Sequence, residues 1–536
     1  MTTRGTMVIV GAGLAGASAA EALRAEGFAG RIVLIGEEPE LPYDRPPLSK
    51  GYLSGETPRA QVHLQDSAFY ADHDIELLTG TRITDLDRNG GQLVVDTGER
   101  LGFDRLLLAT GAVPRRLPVP GGDLAGVHYL RTLADADALR QDLRPGGHLV
   151  VVGAGWIGAE IAASARQQGM EVTVLDPAPV PLARVLGPEV GEFYRRLHAG
   201  HGVQLLMRTG VEAFRGTGRV QEVLTSDGRR IDAHAVVVGI GVQPRTELAE
   251  RAGLIVDDGV VVDELLRTGD PRIFAAGDIA RARHSFYDQH VRVEHWATAR
   301  DQGVAAARGM LGRGASYDAL PYFFSDQYDT GMEYRGRATR WDRVVFRGDP
   351  DSREFLAFWL QDGRVLAGMN VNVWNAGDDV EALLRSRAQV DPDRLADPRV
   401  PLAEVSPPPL PTGGGANKTG VLSGPLKFVR QFLRDRFTVA DATPADELAV
   451  GEGRVLDVAG EKVAVYKDPA GNLHGLSPVC THARCLVQWS AADTAWNCPC
   501  HGARFSPTGQ VLRGPAKKDL APRPLPAIDR HDTSTP

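Results

Sequence analysis

The first half of the chain repeats one pattern of apolar and small residues. Met7-Val8-Ile9-Val10 is a short apolar run that ends in the glycine turn Gly11-Ala12-Gly13-Leu14-Ala15-Gly16. A stretch from Ala17 to Glu26 follows with helical spacing, then a second apolar run from Arg31 to Ile35. The unit recurs as His148 to Val152, Gly153-Ala154-Gly155-Trp156-Ile157-Gly158, a helix from Ala159 to Gln168, and Glu171 to Leu175. Short unbroken apolar runs alternating with helices predict strands buried on both faces of a parallel sheet. From Thr438 the pattern changes. Arg454 to Val458, Lys462 to Tyr466 and Leu473 to Leu476 alternate apolar and polar residues with glycine turns between, which predicts a small antiparallel β domain.

Between these regions, Ser406-Pro407-Pro408-Pro409-Leu410-Pro411-Thr412-Gly413-Gly414-Gly415 breaks the composition. Its proline part is stiff and its glycine part loose; Ala403 to Gly420 reaches about 60 Å if fully extended and ~20–25 Å as a flexible coil. Pro425 to Phe437 reads as an amphipathic helix with Leu426, Val429, Phe432 and Leu433 on one stripe. Packing on a neighbouring domain accounts for that stripe better than a membrane surface does.

Length and charge narrow the picture. A chain of 536 residues exceeds one core, and about three to five domains are expected. A net charge of -8 argues against nucleic acid as a partner. No apolar run approaches the ~20 residues of a membrane span, and the first strand begins too early for a signal peptide to precede it. The expected location is the bacterial cytoplasm or an equivalent reducing compartment. All four cysteines lie between Cys480 and Cys500, so no disulfide framework holds the first 479 residues.

The two glycine turns carry the dinucleotide fingerprint, each between a strand and a helix. Gly11, Gly13 and Gly16, and again Gly153, Gly155 and Gly158, let the backbone approach a pyrophosphate seated at the helix N-terminus. An acid about 20 residues on takes the ribose hydroxyls. Glu37 is the better candidate in the first unit, with Glu38 as the alternative, and Asp176 fills the place in the second. A carboxylate at Asp176 favours NADH over NADPH. Arg184 lies close enough in sequence to take a phosphate, although a surface or interdomain ion pair is the simpler role for it.

Cys480-x-His482 and Cys498-x-x-His501 are separated by Ala483 to Asn497. Two loops that each give one thiolate and one imidazole form the ligand pattern of a Rieske [2Fe–2S] centre. A zinc site is the rival. Zinc fingers pair cysteine with cysteine and histidine with histidine, so the mixed loops favour iron and sulfide.

Further segments then fit one family. Leu106-Leu107-Leu108-Ala109-Thr110-Gly111, Arg272-Ile273-Phe274-Ala275-Ala276-Gly277-Asp278 and Val236-Val237-Val238-Gly239-Ile240-Gly241 stand in chain order. Pro42-Tyr43-Asp44-Arg45-Pro46-Pro47-Leu48-Ser49-Lys50 and Glu294-His295-Trp296 are more specific. Together, over Met7 to about Leu402, they resemble the FAD-dependent ferredoxin reductases of Rieske-type oxygenase and cytochrome P450 systems, relatives of apoptosis-inducing factor. The resemblance implies α/β architecture with two Rossmann-like domains, the NAD domain inserted in a split FAD domain. An α+β C-terminal reductase domain, opened by Phe323 to Tyr328, and an all-β Rieske domain follow. The implied boundaries are 1–113 with 245–319 for FAD, 114–244 for NAD, 320–402 for the reductase C-terminal domain, 403–437 for linker and helix, and 438–527 for the Rieske domain.

The resemblance also implies roles. Lys50 pairs with Glu160 beside the flavin, where the cation stabilises charge developing on hydride transfer. Arg45, Thr110, Gly111, Gly277, Asp278, Glu294, His295 and Trp296 line the FAD site, and Gly239 and Gly241 the NAD side. Phe324 and Arg245 stand where relatives carry tryptophan and asparagine, and both are expected to bear on closure of the nicotinamide side. Cys485 and Cys500 match the extra cysteines of high-potential Rieske proteins, which implies a disulfide between the ligand loops. Ala503 and Phe505 replace the hydroxyl residues of those proteins, which implies a potential in the lower half of the Rieske range.

The expected function is NADH oxidation through FAD and the chain's own cluster to an external acceptor: an oxygenase, a P450 or another carrier. The alternative is a redox-sensing interaction protein of the apoptosis-inducing-factor type with slow NADH oxidation. The absence of cysteine near the first helix excludes electron exit through a dithiol. The protein as isolated is expected to carry FAD and one [2Fe–2S] cluster with mixed ligation. Flavin, iron and sulfide analysis with electron paramagnetic resonance checks this; stoichiometric zinc without iron contradicts it.

Overall fold

A computed structural model describes residues 5–374, 376–405, 448–458, 461–481, 486–490, 494–498, 503–514, 516 and 518–525. The chain divides into two compact units, 1–407 and 408–536. The linker tract 406–415 and the helix expected over 425–437 lie outside the described residues.

The first unit is built on two parallel sheets. The first has strand order Ile273–Ala275, Arg105–Leu108, Thr6–Val10, Arg31–Ile35, Ile75–Leu78, and every neighbouring pair is parallel. The central strands carry apolar residues on both faces because helices cover both. Val8, Ile9, Ile32, Val33 and Leu34 are all fully buried. The helix Leu14–Ala25 packs on the helix Trp296–Met310, and Gly303 makes that contact close. A Cβ there would lie 2.3 Å from the Ala15 carbonyl oxygen.

The second sheet has order Gln204–Met207, Glu171–Asp176, His148–Val152, Ala235–Val238, Val127–His128, again parallel throughout. Its strands fall in sequence between Arg105–Leu108 and Ile273–Ala275, two adjacent strands of the first sheet. The second sheet is thus an insertion into the first.

The strands of both units start and end within a residue of the apolar runs. The helices do not. They begin at Leu14 and Trp156, three residues before the starts expected at Ala17 and Ala159. Each helix is entered through the middle glycine, Gly13 or Gly155, and no side chain caps either. The third glycine of each fingerprint therefore lies inside the first helical turn.

The rest of the first unit is a five-stranded antiparallel sheet in the order Tyr322–Gln327, Thr330–Gly336, Arg364–Val371, Glu354–Gln361, Arg343–Asp349. Residues alternate in burial along Tyr322–Gln327, so Phe323, Ser325 and Gln327 point inward. A charged group is also enclosed here. Glu333 and Arg335 pair at 3.0 Å with side chains 4% and 5% exposed. Tyr322 donates to Glu333 at 2.8 Å, and Asn370 donates at 3.2 Å.

The second unit holds two antiparallel sheets, one of Gly453–Val458, Glu461–Lys467 and Leu473–Leu476, the other of Gln488–Ser490, Ala495–Asn497, Arg504–Phe505 and Val511–Arg513. Its core includes Val455, Tyr466, Trp496 and Phe505. Among the described residues no helix is long and apolar enough to cross a membrane.

Glu333→Ala leaves Arg335 a buried cation without its hydrogen-bonded carboxylate. Unfolding of the first unit should become easier by about 3–5 kcal/mol, read as a lowered transition in scanning calorimetry.

Candidate active site

A cavity of about 790 Å³ opens in the first unit. Its floor is the first glycine turn, because Gly11 and Gly13 follow the central strand of the first sheet. Gly11 has φ +116° and a Cβ there would lie 2.1 Å from the Ala109 carbonyl oxygen. Gly16 is equally constrained, since its Cβ would meet the Gly11 carbonyl oxygen at 1.9 Å. Gly13 differs. It has φ −82°, and a Cβ would find no atom within 4 Å. The space over Gly13 faces uncapped helix N–H groups, which suits a pyrophosphate.

Thirteen of the residues expected at the site line this cavity: Gly11, Gly13, Glu37, Arg45, Lys50, Thr110, Gly111, Glu160, Gly277, Asp278, Glu294, His295 and Trp296. At one end, Lys50 Nζ lies 2.9 Å from Glu160 Oε1, with Glu160 only 5% exposed. Ser49 donates to Glu160 Oε2 at 2.5 Å and Ser325 to Oε1 at 2.7 Å. Lys50 Nζ also sits 5.6 Å from the centre of the Phe324 ring. Along the wall, Arg131 pairs with Asp278 at 2.7 Å, and Trp296 Nε1 donates to Asp44 at 2.8 Å. His295 Nδ1 is buried and has no hydrogen-bond partner among the described residues. Burial pushes its imidazole down to about 4, against the opposing charge of Asp278, so the ring is neutral at neutral pH.

The other end is acidic and basic together. Glu37 meets Arg245 at 2.6 Å and Arg82 at 3.6 Å. Glu38 pairs with Arg45 at 2.9 Å and accepts from Tyr43. Arg45 also donates to the Arg131 carbonyl oxygen. Arg245 thus reaches Glu37, which lies just past the C-terminal end of the strand Arg31–Ile35. Its backbone holds it there, because its N–H donates to Gly111 and its carbonyl accepts from Thr110.

Gly153, Gly155, Gly158, Asp176, Gly239 and Gly241 gather around the second glycine turn, outside the cavity lining. Gly155, like Gly13, has open space at its Cβ position, and a Cβ on Gly153 would lie 2.3 Å from the Gly239 carbonyl oxygen. Asp176 accepts from the Ala154 N–H at 2.6 Å and from the Ala178 N–H at 2.7 Å. Trp156 and Ile157 project from this turn into the cavity. Arg184 is exposed and has no ion-pair partner among the described residues.

Sequence reading missed Arg131, Arg82, Ser49 and Ser325. Ser49 and Ser325 are small hydroxyl residues inside named segments, and only the burial alternation along Tyr322–Gln327 marks Ser325 as inward.

In the second unit Cys480 and Cys498 follow strands Leu473–Leu476 and Ala495–Asn497. They are 0% and 2% exposed and share one buried cluster with Ala503 and Phe505. The Cys498 N–H donates to the Ala503 carbonyl oxygen at 2.7 Å. Two buried thiols from two loops in one cluster fit a shared metal centre. His482, His501, Cys485 and Cys500 lie outside the described residues.

A parallel-sheet fold with two fingerprint turns, a cavity with open backbone above Gly13 and a lysine–glutamate pair define a flavin- and nicotinamide-dependent oxidoreductase. The pyridine nucleotide-disulphide oxidoreductase profile matches residues 5–303, the reductase C-terminal profile 322–406 and the Rieske [2Fe–2S] profile 438–524. Putidaredoxin reductase of Pseudomonas putida is 40% identical over 411 residues, covering 76% of this chain and 97% of that protein. The ferredoxin–NAD(+) reductase component of the anthranilate 1,2-dioxygenase system of Burkholderia cepacia is 42% identical over 398 residues, covering 74% and 98%. The covalent putidaredoxin reductase–putidaredoxin complex superposes with a TM-score of 0.72 at 40% identity, covering 75% of this chain and 98% of that one. The chain belongs to the pyridine nucleotide-disulphide oxidoreductase family, as a ferredoxin–NAD reductase with an added Rieske domain. Its cofactors are FAD, NAD(H) and a [2Fe–2S] cluster.

Gly13→Ala should fold normally yet hold FAD about tenfold more weakly or worse, because a methyl group enters the space a pyrophosphate needs. Gly16→Ala should destabilise the apoprotein itself. Thermal unfolding and FAD titration of the two variants separate these effects.

Proposed function

We propose that this enzyme oxidises NADH at its FAD, sends the electrons singly to its own Rieske cluster, and delivers them to an external oxygenase, P450 or iron–sulfur carrier. The observation that carries this reading is Lys50 Nζ at 2.9 Å from the buried Glu160, at the end of a cavity whose floor is the first glycine turn. Bound FAD supplies conversion of a hydride, which is an electron pair, into single electrons.

The chain's residues do the rest. Gly11 and Gly13 let the pyrophosphate approach the backbone, and Glu37 takes the ribose hydroxyls with Arg245 and Arg82 beside it. Arg131 and Asp278 hold the wall against the ribityl side. Lys50 keeps a positive charge where negative charge develops, and Glu160 keeps the lysine in place. Gly155 and Asp176 bind NADH, and the carboxylate disfavours a 2′-phosphate. Cys480, His482, Cys498 and His501 ligate the cluster. The names of the relatives, a putidaredoxin reductase and a dioxygenase-system reductase, support an acceptor of the same chemical kind. The lack of any cysteine before Cys480 and of any membrane-crossing helix among the described residues agrees with a reducing, cytoplasmic setting.

Lys50→Ala should slow flavin reduction by NADH about tenfold or more, while His482→Ala should spare that step and block electron exit. Stopped-flow absorbance at the flavin band distinguishes them. Unchanged turnover of His482→Ala with an oxygenase acceptor takes the cluster off the path.

A further inference from the structure

Beyond the Lys50–Glu160 pair, an unbroken series of buried polar side chains leads away from the cavity. Ser325 donates to Glu160 at 2.7 Å, Gln327 Nε2 lies 3.2 Å from Ser325 Oγ, and His198 Nε2 lies 2.9 Å from Gln327 Oε1. His198 Nδ1 lies 3.1 Å from the Tyr328 hydroxyl. Ser325, Gln327 and His198 are each 1% exposed, and none of the four residues lines the cavity. They come from two elements: the strand Tyr322–Gln327, with Tyr328 just beyond it, and the helix Ala183–Gly200.

The direction of every bond follows from the carboxylate. An ionised glutamate only accepts, so the Ser325 hydroxyl donates its hydrogen bond to Glu160. Ser325 Oγ is then left to accept from its other neighbour, which must be the Gln327 amide nitrogen. That orientation turns the Gln327 carbonyl oxygen toward His198, whose Nε2 must carry hydrogen. A neutral imidazole with Nε2–H has an accepting Nδ1, which the Tyr328 hydroxyl satisfies. Burial holds His198 down at about 4, which keeps the ring neutral. Tyr328 anchors the outer end: its backbone has φ +57° and its ring stacks on His201 at 3.7 Å.

We propose that Tyr328, His198, Gln327 and Ser325 form a one-directional hydrogen-bond chain that positions Glu160, so that His198 and Gln327 are positioning residues for hydride transfer. This rests on the reading of Lys50 and Glu160 given above. Aligned donors reinforce one another in a low-dielectric interior. Loss of the His198 donor frees the Gln327 amide to turn its oxygen toward Ser325. The serine hydroxyl then has two competing acceptors, and Glu160 loses its fixed partner.

The test is flavin reduction by NADH in the full-length holoenzyme, with limiting rate and NADH affinity measured separately, and the nitrogen-15 spectrum of the histidine rings. His198→Phe should lower the limiting rate about tenfold while NADH affinity stays within about twofold, since the residue touches no ligand. His198→Gln can accept from Tyr328 and donate to Gln327, and it should recover most of the lost rate. In the native protein His198 should be protonated at Nε2. Protonation at Nδ1, a His198→Phe variant as fast as the native protein, or a His198→Gln variant as slow as His198→Phe would each overturn the chain. Glu160→Gln separates the two levels. If it reduces flavin at the native rate, the Lys50–Glu160 reading fails and the chain with it. If it is slow while His198→Phe is fast, only the chain fails. Should His198→Phe not fold, the ring spectrum of the native protein decides alone.

Discussion

A carboxylate taken out of water must be met on every side, and Glu160 organises the first unit around that requirement. It sits on the buried face of the helix Trp156–Gln167, and its partners come from distant stretches: Ser49 and Lys50 from the motif before the short helix Gly51–Ser54, and Ser325 from the antiparallel sheet. Ser164, one turn further along the same helix, donates to the Ser49 carbonyl oxygen at 2.8 Å. The motif is thereby pinned twice to the helix that follows the second glycine turn. The same motif carries Tyr43 and Arg45 to Glu38, so one buried charge fixes both the lysine end of the cavity and much of its wall.

The strands and glycine turns were legible in the sequence because their signals are local. An unbroken apolar run bounded by glycine has few readings, and Arg31–Ile35 and His148–Val152 appear with the expected limits. The helix starts were less legible. No capping side chain marks Gly13 or Gly155, since the N–H groups there are left for a ligand. The Lys50–Glu160 pair was legible only through family resemblance; 110 residues separate the two, and nothing in their spacing joins them. His198 belongs to no motif, and Ser325 and Gln327 were legible only as part of the segment that opens the C-terminal reductase domain. The Glu37–Arg245 pair was not legible either, because the two residues are far apart in sequence and no motif joins them.

The second unit shows the opposite balance. Its ligand set was read from spacing alone, while its structure adds the burial of Cys480, Cys498, Ala503 and Phe505 in one cluster. Phe505 fills its place completely, at 0% exposure. A hydrophobic ring there contributes packing in place of a hydroxyl donor, so the same position serves cohesion of the small core and sets the polarity around Cys480 and Cys498.

The insertion of one sheet into another also sets an order of assembly during synthesis. Strand Arg105–Leu108 lacks its outer neighbour until Ile273–Ala275 has been made, whereas every strand of the inserted sheet lies between Val127 and Val238. All strands of the inserted sheet have therefore been made while the first sheet still has an open edge, and that edge offers unpaired backbone groups. The helix Trp296–Met310, which packs on the first glycine-turn helix, emerges later still. The first sheet is the last part of the two-sheet body to receive all its strands, after the sheet enclosed within its own sequence.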